Sequence, residues 1–315
     1  MTGWIRAAVA SARPEASIES VERPAEGNRK RTAIVALAGG ERLVVQRFED
    51  PAALRTETRL DREIAARTTV PVPSVLEWGH LDGGDGAYRV VEAIEGTNLH
   101  ERFTALSPAA RRRIARRFGR ALAEIHGAFA FERFGPVVAD GGESGGGGGL
   151  RADGPDSWTR WFDAYLRECV DALPEPFADL ESAIESAIQE GTAADPTPRL
   201  FPWDLRPGNA MVDGEDLVAF LDWGDPLAAG AGLSVAKAEH LLADWYVDDG
   251  QVLRTEFRDG YADVRPLPDV RRAERVAAVV DSAVDSAGVV TRPGYPERTG
   301  AAAVEFHRRR LRSLL

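Results

Sequence analysis

The chain has 315 residues, 44% of them hydrophobic and 28% charged, which is enough apolar material for a real core in ~two domains or one two-lobed unit. Its formal net charge of −11 excludes a general nucleic-acid binder, which needs a basic face to displace counterions. Cys169 is the only cysteine, so an internal disulfide and a zinc site built on paired cysteines are both excluded.

In chain order, Met1 to Pro14 lacks the basic start and long apolar stretch of a signal peptide. Residues 33–48 read as two short strands around a turn at Gly39 and Gly40. A helix is expected over Pro51–Arg67, with proline at its start and Leu54, Leu60 and Ile64 at apolar positions. The segment VPVPSVLEWG at 70–79 must be extended, because each proline biases its predecessor away from helix. Two further strands follow around Gly83–Gly86, ending in Ala87–Ile94. Residues 1–95 are therefore expected to form a small strand-rich lobe holding one helix.

From Ser107 the pattern changes to helical spacing, with Ile114, Phe118, Ala121, Leu122 and Ile125 on one face. The other face carries Arg111, Arg112, Arg113, Arg116, Arg117 and Arg120, read as a solvated stripe offset by nearby acids. His126 ends this helix, where a cation capping the last carbonyls is favoured. Helices are expected over about Trp158–Leu173, with Cys169 a buried thiol, and over Phe177–Gln189. Between these stretches the glycine run at 141–149 has no preceding strand and no lysine, which suits a flexible surface loop rather than a phosphate cradle. A strand-rich patch at 199–223 is followed by helix near 233–246 and 270–286. The layout is α+β, with a larger mainly helical part over 96–315. No apolar run approaches the ~20 residues that span a bilayer, so a cytoplasmic protein without membrane or nucleic-acid partners is expected. Lys30 and Lys237 are the only lysines, and an acidic, arginine-rich surface suits concentrated salt or equally a GC-rich genome.

The informative stretch is LFPWDLRPGNAMVDGEDLVAFLDWGDP at 200–226, which places Asp204, Asn209 and Asp222 at successive offsets of five and thirteen residues. Phosphoryl transfer needs a carboxylate to orient and deprotonate the attacking hydroxyl, and oxygen ligands for the magnesium that bridges the phosphates. An Asp followed five residues on by Asn supplies both from one loop. The run Leu217–Leu221 reads as a buried hairpin strand that returns a second carboxylate to the same place. Asp225 suits either a turn or an assisting metal ligand.

This segment resembles the signature of the aminoglycoside phosphotransferase family, HGDLHPGN followed by a strand and IDW, and the catalytic loop and DFG of protein kinases. LAEIHG at 122–127, VPVPSVLEWG at 70–79 and GYADVRPLP at 260–268 extend the likeness over about 25–290. The resemblance implies a bilobal protein-kinase-like fold with a nucleotide-binding lobe over 1–95 and a catalytic, substrate-binding lobe over 96–315. It implies a small-molecule kinase, monomeric or weakly dimeric, using ATP or GTP and Mg2+. By the same resemblance Asp204 is the base, Asn209 and Asp222 are the metal ligands, and Glu92 and Ile94 hold adenine through main-chain groups.

Two departures stand out. The family's His-Gly before the base is here Pro202-Trp203, and Trp203 is expected either to reshape the wall beside Asp204 or simply to pack. The strand lysine that neutralises nucleotide phosphates falls on Gln46, while its helix partner is Glu57. Period-2 alternation sends Gln46 and Arg47 to opposite faces. Lys30, Arg29 or Arg31 would then reach the phosphates from a loop, or are ordinary solvated charges. The missing lysine also supports an alternative, a catalytically impaired pseudokinase acting as a nucleotide-binding or scaffold protein. The acceptor is not named by these residues.

Overall fold

A computed structural model describes residues 3–24, 30–81, 86–140, 149–189, 196–285, 288–290 and 294–315. Helix α1 (Gly3–Ala12) precedes strands β1 (Ile18–Glu22), β2 (Lys30–Leu37) and β3 (Arg42–Phe48), helix α2 (Pro51–Arg67), and strands β4 (Val75–His80) and β5 (Ala87–Glu92). The five strands form one antiparallel sheet in the order β1-β2-β3-β5-β4. Alternation gives the sheet two different faces. Ala33, Val35, Leu37, Leu43, Val45, Tyr88 and Val90 pack under Ile5, Ala8 and Val9 of α1. The opposite face carries Lys30, Thr32, Gln46, Arg89 and Val91 and receives α2, whose Leu54 joins Phe48 and Ala87. Asp50 caps α2, its carboxylate accepting from the Ala52 N–H at 2.8 Å, and Pro51 suits the first turn because it has no N–H to lose.

The rest of the chain is mainly helical. It runs through β6 (Thr97–Asn98), α3 (Leu99–Arg102), α4 (Pro108–Ala128), β7 (Gly135–Ala139), β8 (Leu150–Ala152), α5 (Trp158–Asp171) and α6 (Glu181–Gln189). Then follow β9 (Arg199–Phe201), the hairpin β10 (Ala210–Asp213) and β11 (Asp216–Phe220), β12 (Leu227–Ala229), α7 (Ala231–Glu239), α8 (Gln251–Ala262), α9 (Arg272–Asp281) and α10 (Ala301–Arg312). The largest core gathers Phe118, Leu122 and Ile125 of α4 with Phe257 and Tyr261 of α8 and Phe220 of the hairpin, Phe118 and Phe220 meeting edge to face at 4.9 Å. The α4–α8 crossing needs glycine. A Cβ at Gly119 would run into the Phe257 carbonyl, and one at Gly260 into the Arg116 carbonyl.

The mixed α/β architecture, a strand-rich N-terminal sheet ahead of a helical remainder, is the one the sequence led us to expect, with several corrections. Lys30 is the first residue of β2 and not part of a loop. A strand, β7, does precede the glycine run, and β8 pairs with it; the run itself, apart from Gly149, lies outside the described residues. The helix expected from Phe177 starts as a 3₁₀ turn over Glu175–Leu180. The one expected over 233–246 ends in a π-helical turn at His240–Asp244. His126 is not a charged cap: it is fully buried between α4 and α8, its Nδ1 sits 2.8 Å from the Tyr261 hydroxyl, and burial with Arg265 and Arg199 nearby lowers its pKa to about 3. Cys169 is only partly buried, its Sγ 3.6 Å from Asp281 Oδ1. The arginine stripe is offset by acids as expected: Arg116 and Arg120 pair with Asp263 at 2.9 and 3.0 Å, and Arg113 lies 3.6 Å from Glu215.

Glu274, in the first turn of α9, is 8% exposed and accepts the Arg271 N–H at 2.8 Å. Burial pushes its carboxyl up to about 7, against the hydrogen bond from Arg271. A folded-state pKa above the unfolded one gives stability that is complete below the unfolded value and lost as pH rises through the folded one. Glu274→Gln keeps an acceptor and removes the titration. Its stability relative to the parent should therefore rise by roughly 2–3 kcal/mol between pH 4 and pH 8, read by urea denaturation; a pH-independent difference would refute the account.

Candidate active site

Two constellations form the site. The first is a charge relay between the sheet and the β10–β11 hairpin. Lys30 Nζ donates to Glu57 of α2 and to Asp222 Oδ1, the latter at 2.7 Å. Burial works against the Lys30 ammonium, but Glu57 and Asp222 more than offset it and leave its pKa above the usual value. Burial likewise opposes the Asp222 charge, and Lys30 with Arg89 holds that carboxyl below its usual range. Asp222 has φ +60°, a left-handed conformation that Asp tolerates better than most residues. Trp223 beside it is buried near Phe220, and the next residue is Gly224, where a Cβ would lie 3.3 Å from Asp222 Oδ1 and 3.5 Å from Glu57 Oε2. A side chain there would press on the Asp222 carboxylate. Asp225 has φ +49°, the conformation of a turn residue.

Arg89 of β5, not among the residues singled out in the sequence, underlies this relay. Its guanidinium donates to Glu57 Oε1 at 2.6 Å, Asp61 Oδ2 at 2.6 Å and Gln46 Oε1 at 2.7 Å. Gln46 thus orients Arg89, and its own amide nitrogen lies 3.4 Å from Thr32 Oγ1. The candidates for the missing lysine are sorted by strand alternation. Lys30 shares the α2 face with Gln46, whereas Arg31 and Arg47 are register partners with the opposite parity; Arg29 lies outside the described residues. At the end of β5 the Glu92 N–H donates to Ser74 O at 3.0 Å, so any adenine contact from Glu92 falls to its carbonyl, with Ile94 two residues on.

The second constellation follows β9. Asp204 Oδ2 accepts from Arg206 Nε at 2.8 Å and from Asn209 Nδ2 at 3.0 Å, and Asn209 Nδ2 also reaches the Asp204 carbonyl at 2.9 Å. With its nitrogen so committed, Asn209 presents its amide oxygen as the atom suited to a cation. The Leu221 N–H donates to the Asn209 carbonyl at 2.8 Å, which seats Asp222 beside Asn209. Trp203 is partly buried and pinned from beneath: its Nε1 donates to Asp281 Oδ1 at 3.3 Å and Lys237 Nζ lies 3.9 Å from its ring centre. Lys237 and Asp281 form an ion pair with side chains only 4% and 8% exposed. Trp203 therefore packs on the Lys237–Asp281 pair.

The sequence profile described as the phosphotransferase enzyme family (APH) matches residues 20–274. The chain belongs to this family. It is accordingly a phosphotransferase with a hydroxyl group as acceptor. No curated protein sequence matches it significantly. Among solved structures it is similar to a thermostable mutant of aminoglycoside phosphotransferase APH(4)-Ia in a ternary complex with AMP-PNP and hygromycin B, at 14% identity and TM-score 0.66 over 94% of this chain and 95% of that one. It is similar at 16% identity and TM-score 0.62 to a mutant aminoglycoside 2′-phosphotransferase-IIIa in complex with GDP, over 89% and 87% of the chains. It is similar at 20% identity and TM-score 0.61 to a Thermobifida fusca protein assigned as a fructosamine-3-kinase, over 97% and 98%. These likenesses carry the bilobal kinase fold. No helix among the described residues is long and apolar enough to cross a membrane.

Proposed function

We propose that this phosphotransferase moves the terminal phosphoryl group of ATP or GTP to a hydroxyl of a small metabolite or aminoglycoside-like acceptor, with residues 1–95 as the nucleotide-binding lobe and 96–315 as the catalytic lobe. The observation that carries the reading is Lys30, which joins Glu57 of the sheet-packed helix to Asp222 of the hairpin. The family's phosphate-binding pair is thereby rebuilt from the start of β2. The pseudokinase alternative rests on Gln46 replacing the strand lysine and on Pro202-Trp203 replacing His-Gly before Asp204, and Lys30 answers the first of these.

Asn209 and Asp222 offer an amide oxygen and a carboxylate, hard donors that fit magnesium shared with phosphate and water. Such an ion would supply charge neutralisation to the nucleotide phosphates. Lys30 would hold phosphate oxygens, and Glu57 fixes Lys30. Asp204 orients the acceptor hydroxyl; as its oxygen bonds to the terminal phosphorus and the bond to the bridging oxygen breaks, its proton passes to the Asp204 carboxylate and the nucleoside diphosphate leaves. Trp203 would flank the acceptor. The acidic, lysine-poor composition fits a cytoplasmic enzyme at high salt, so assays belong there.

Calorimetric titration with ATP and GTP, with and without magnesium, tests the reading. Binding should require magnesium for full strength and lose that dependence in Asp222→Asn. Nucleotide binding indifferent to magnesium and to Asp222→Asn would overturn the ligand assignment.

A further inference from the structure

A concavity lies away from these residues. An open groove of about 660 Å³ is walled by the last turn of α2, the last turns of α4, the start of β9 and the segment after α8. Three arginines line it, Arg67, Arg199 and Arg265, against one acidic residue, Glu124. Glu124 is already committed, accepting the Thr69 N–H at 2.6 Å and the Thr69 hydroxyl at 2.9 Å. Arg67 is stacked at 4.5 Å on Phe129 and has Glu63 at 3.6 Å. Arg199 and Arg265 form no ion pair with a carboxylate among the described residues. Arg199 Nη1 donates to the His126 carbonyl at 3.0 Å, and Arg265 Nη1 is buried without a hydrogen-bond partner. A buried guanidinium nitrogen with no acceptor is costly to leave so.

The two arginines also oppose each other. Burial and then Arg265 lower the Arg199 pKa, and both arginines help to keep the enclosed His126 neutral. The groove is therefore a positive spot on a chain of net charge −11, with donor capacity that the fold does not use. Guanidinium forks match tetrahedral oxyanions in geometry as well as in charge.

We propose that this groove is an anion site that takes a phosphoryl group, carried by inorganic phosphate or by a small phosphomonoester, between Arg265 and Arg199 with Arg67 at the rim. It shares no residue with the catalytic constellations, although its wall is the end of the helix that carries Glu57.

The test is calorimetric titration of the full chain with inorganic phosphate and, separately, glycerol 3-phosphate. The active site is first saturated with AMP-PNP and magnesium, and chloride is used to match ionic strength. Saturable binding is expected, weakened about tenfold or more in Arg265→Gln and in Arg199→Gln by loss of a charge-assisted bond. The tighter of the two probes identifies the source of the phosphoryl group. Arg199 also holds the His126 carbonyl, so Arg265→Gln, on a surface segment, carries the test if Arg199→Gln does not fold. No binding, binding no better than chloride (an adventitious ion only), or equal binding in parent and Arg265→Gln would overturn the proposal.

Discussion

Asp204→Asn is expected to lower turnover by ~10²–10⁴-fold, equivalent to ~3–5 kcal/mol of barrier, while magnesium-dependent nucleotide affinity stays near the parent's. The asymmetry follows from the geometry. Asp204 Oδ2 is held by Arg206 and Asn209, so the carboxylate is fixed on one side and presents its other oxygen for a hydroxyl. Asparagine retains the shape and can still accept from those two donors, but it cannot take a proton. Nucleotide contacts lie with Lys30, Asn209 and Asp222, which this substitution leaves in place. Turnover is measurable against a panel of hydroxyl acceptors, or as slow transfer to water where no acceptor has yet been found. Full turnover in Asp204→Asn would remove Asp204 from the role of base; loss of nucleotide binding would show that the substitution had disturbed Asn209 instead.

What could be read in the sequence was mostly what is local. The loop Asp, the Asn five residues on and the returning hairpin lie within one continuous stretch, so their juxtaposition follows from spacing and from the apolar β11 run. Glu57 was legible only through the resemblance to kinases, as the helix acid that partners a strand lysine. Lys30 was legible as a candidate because lysine is so rare here, although its strand was read as starting three residues later. Arg89 was not singled out, yet a signal existed: an arginine in the middle of the apolar strand AYRVVE needs a buried acceptor, and Glu57 and Asp61 are spaced one helical turn apart to provide it. His126 was misjudged because its burial depends on α8, an element the periodicity did not reveal. Helix α1 and strand β1 were missed for a similar reason. The IESVE strand is mostly exposed, so it carries no apolar alternation, and α1 shows its apolar side only to the sheet. Tertiary contact decides such cases, and it is not written in a window of ten residues.

The Lys30–Glu57–Arg89 arrangement divides two duties that a single strand lysine would combine, and the division has measurable consequences. Arg89 is 5% exposed and ties together three side chains from two elements, so Arg89→Met should cost ~3–5 kcal/mol of folding stability, the usual effect of removing one partner from a buried ion pair. The reason is the charge left behind. Asp61 is buried, and burial with Glu57 nearby already pushes its carboxyl up against the pull of Arg89. Without the guanidinium that carboxyl rises further, so the variant's native state binds a proton that its unfolded state releases. Its deficit should then be flat below about pH 6, where Asp61 is protonated in both native states, and grow as pH rises above about 7. The double variant Arg89→Met/Asp61→Leu should recover part of the loss, since the orphaned charge is gone. Lys30→Met is the complement. Glu57 keeps Arg89 in that variant, so stability should change little, while kcat/KM for nucleotide falls ~10²-fold or more through loss of a cation aimed at the phosphates. Denaturant melts at several pH values, run beside steady-state kinetics, separate the two. Equal stability losses in Lys30→Met and Arg89→Met would mean that the relay is one structural unit. An Arg89→Met variant as stable as the parent would mean that Asp61 and Glu57 are relieved by water or by Lys30, and that Arg89 is dispensable to the fold.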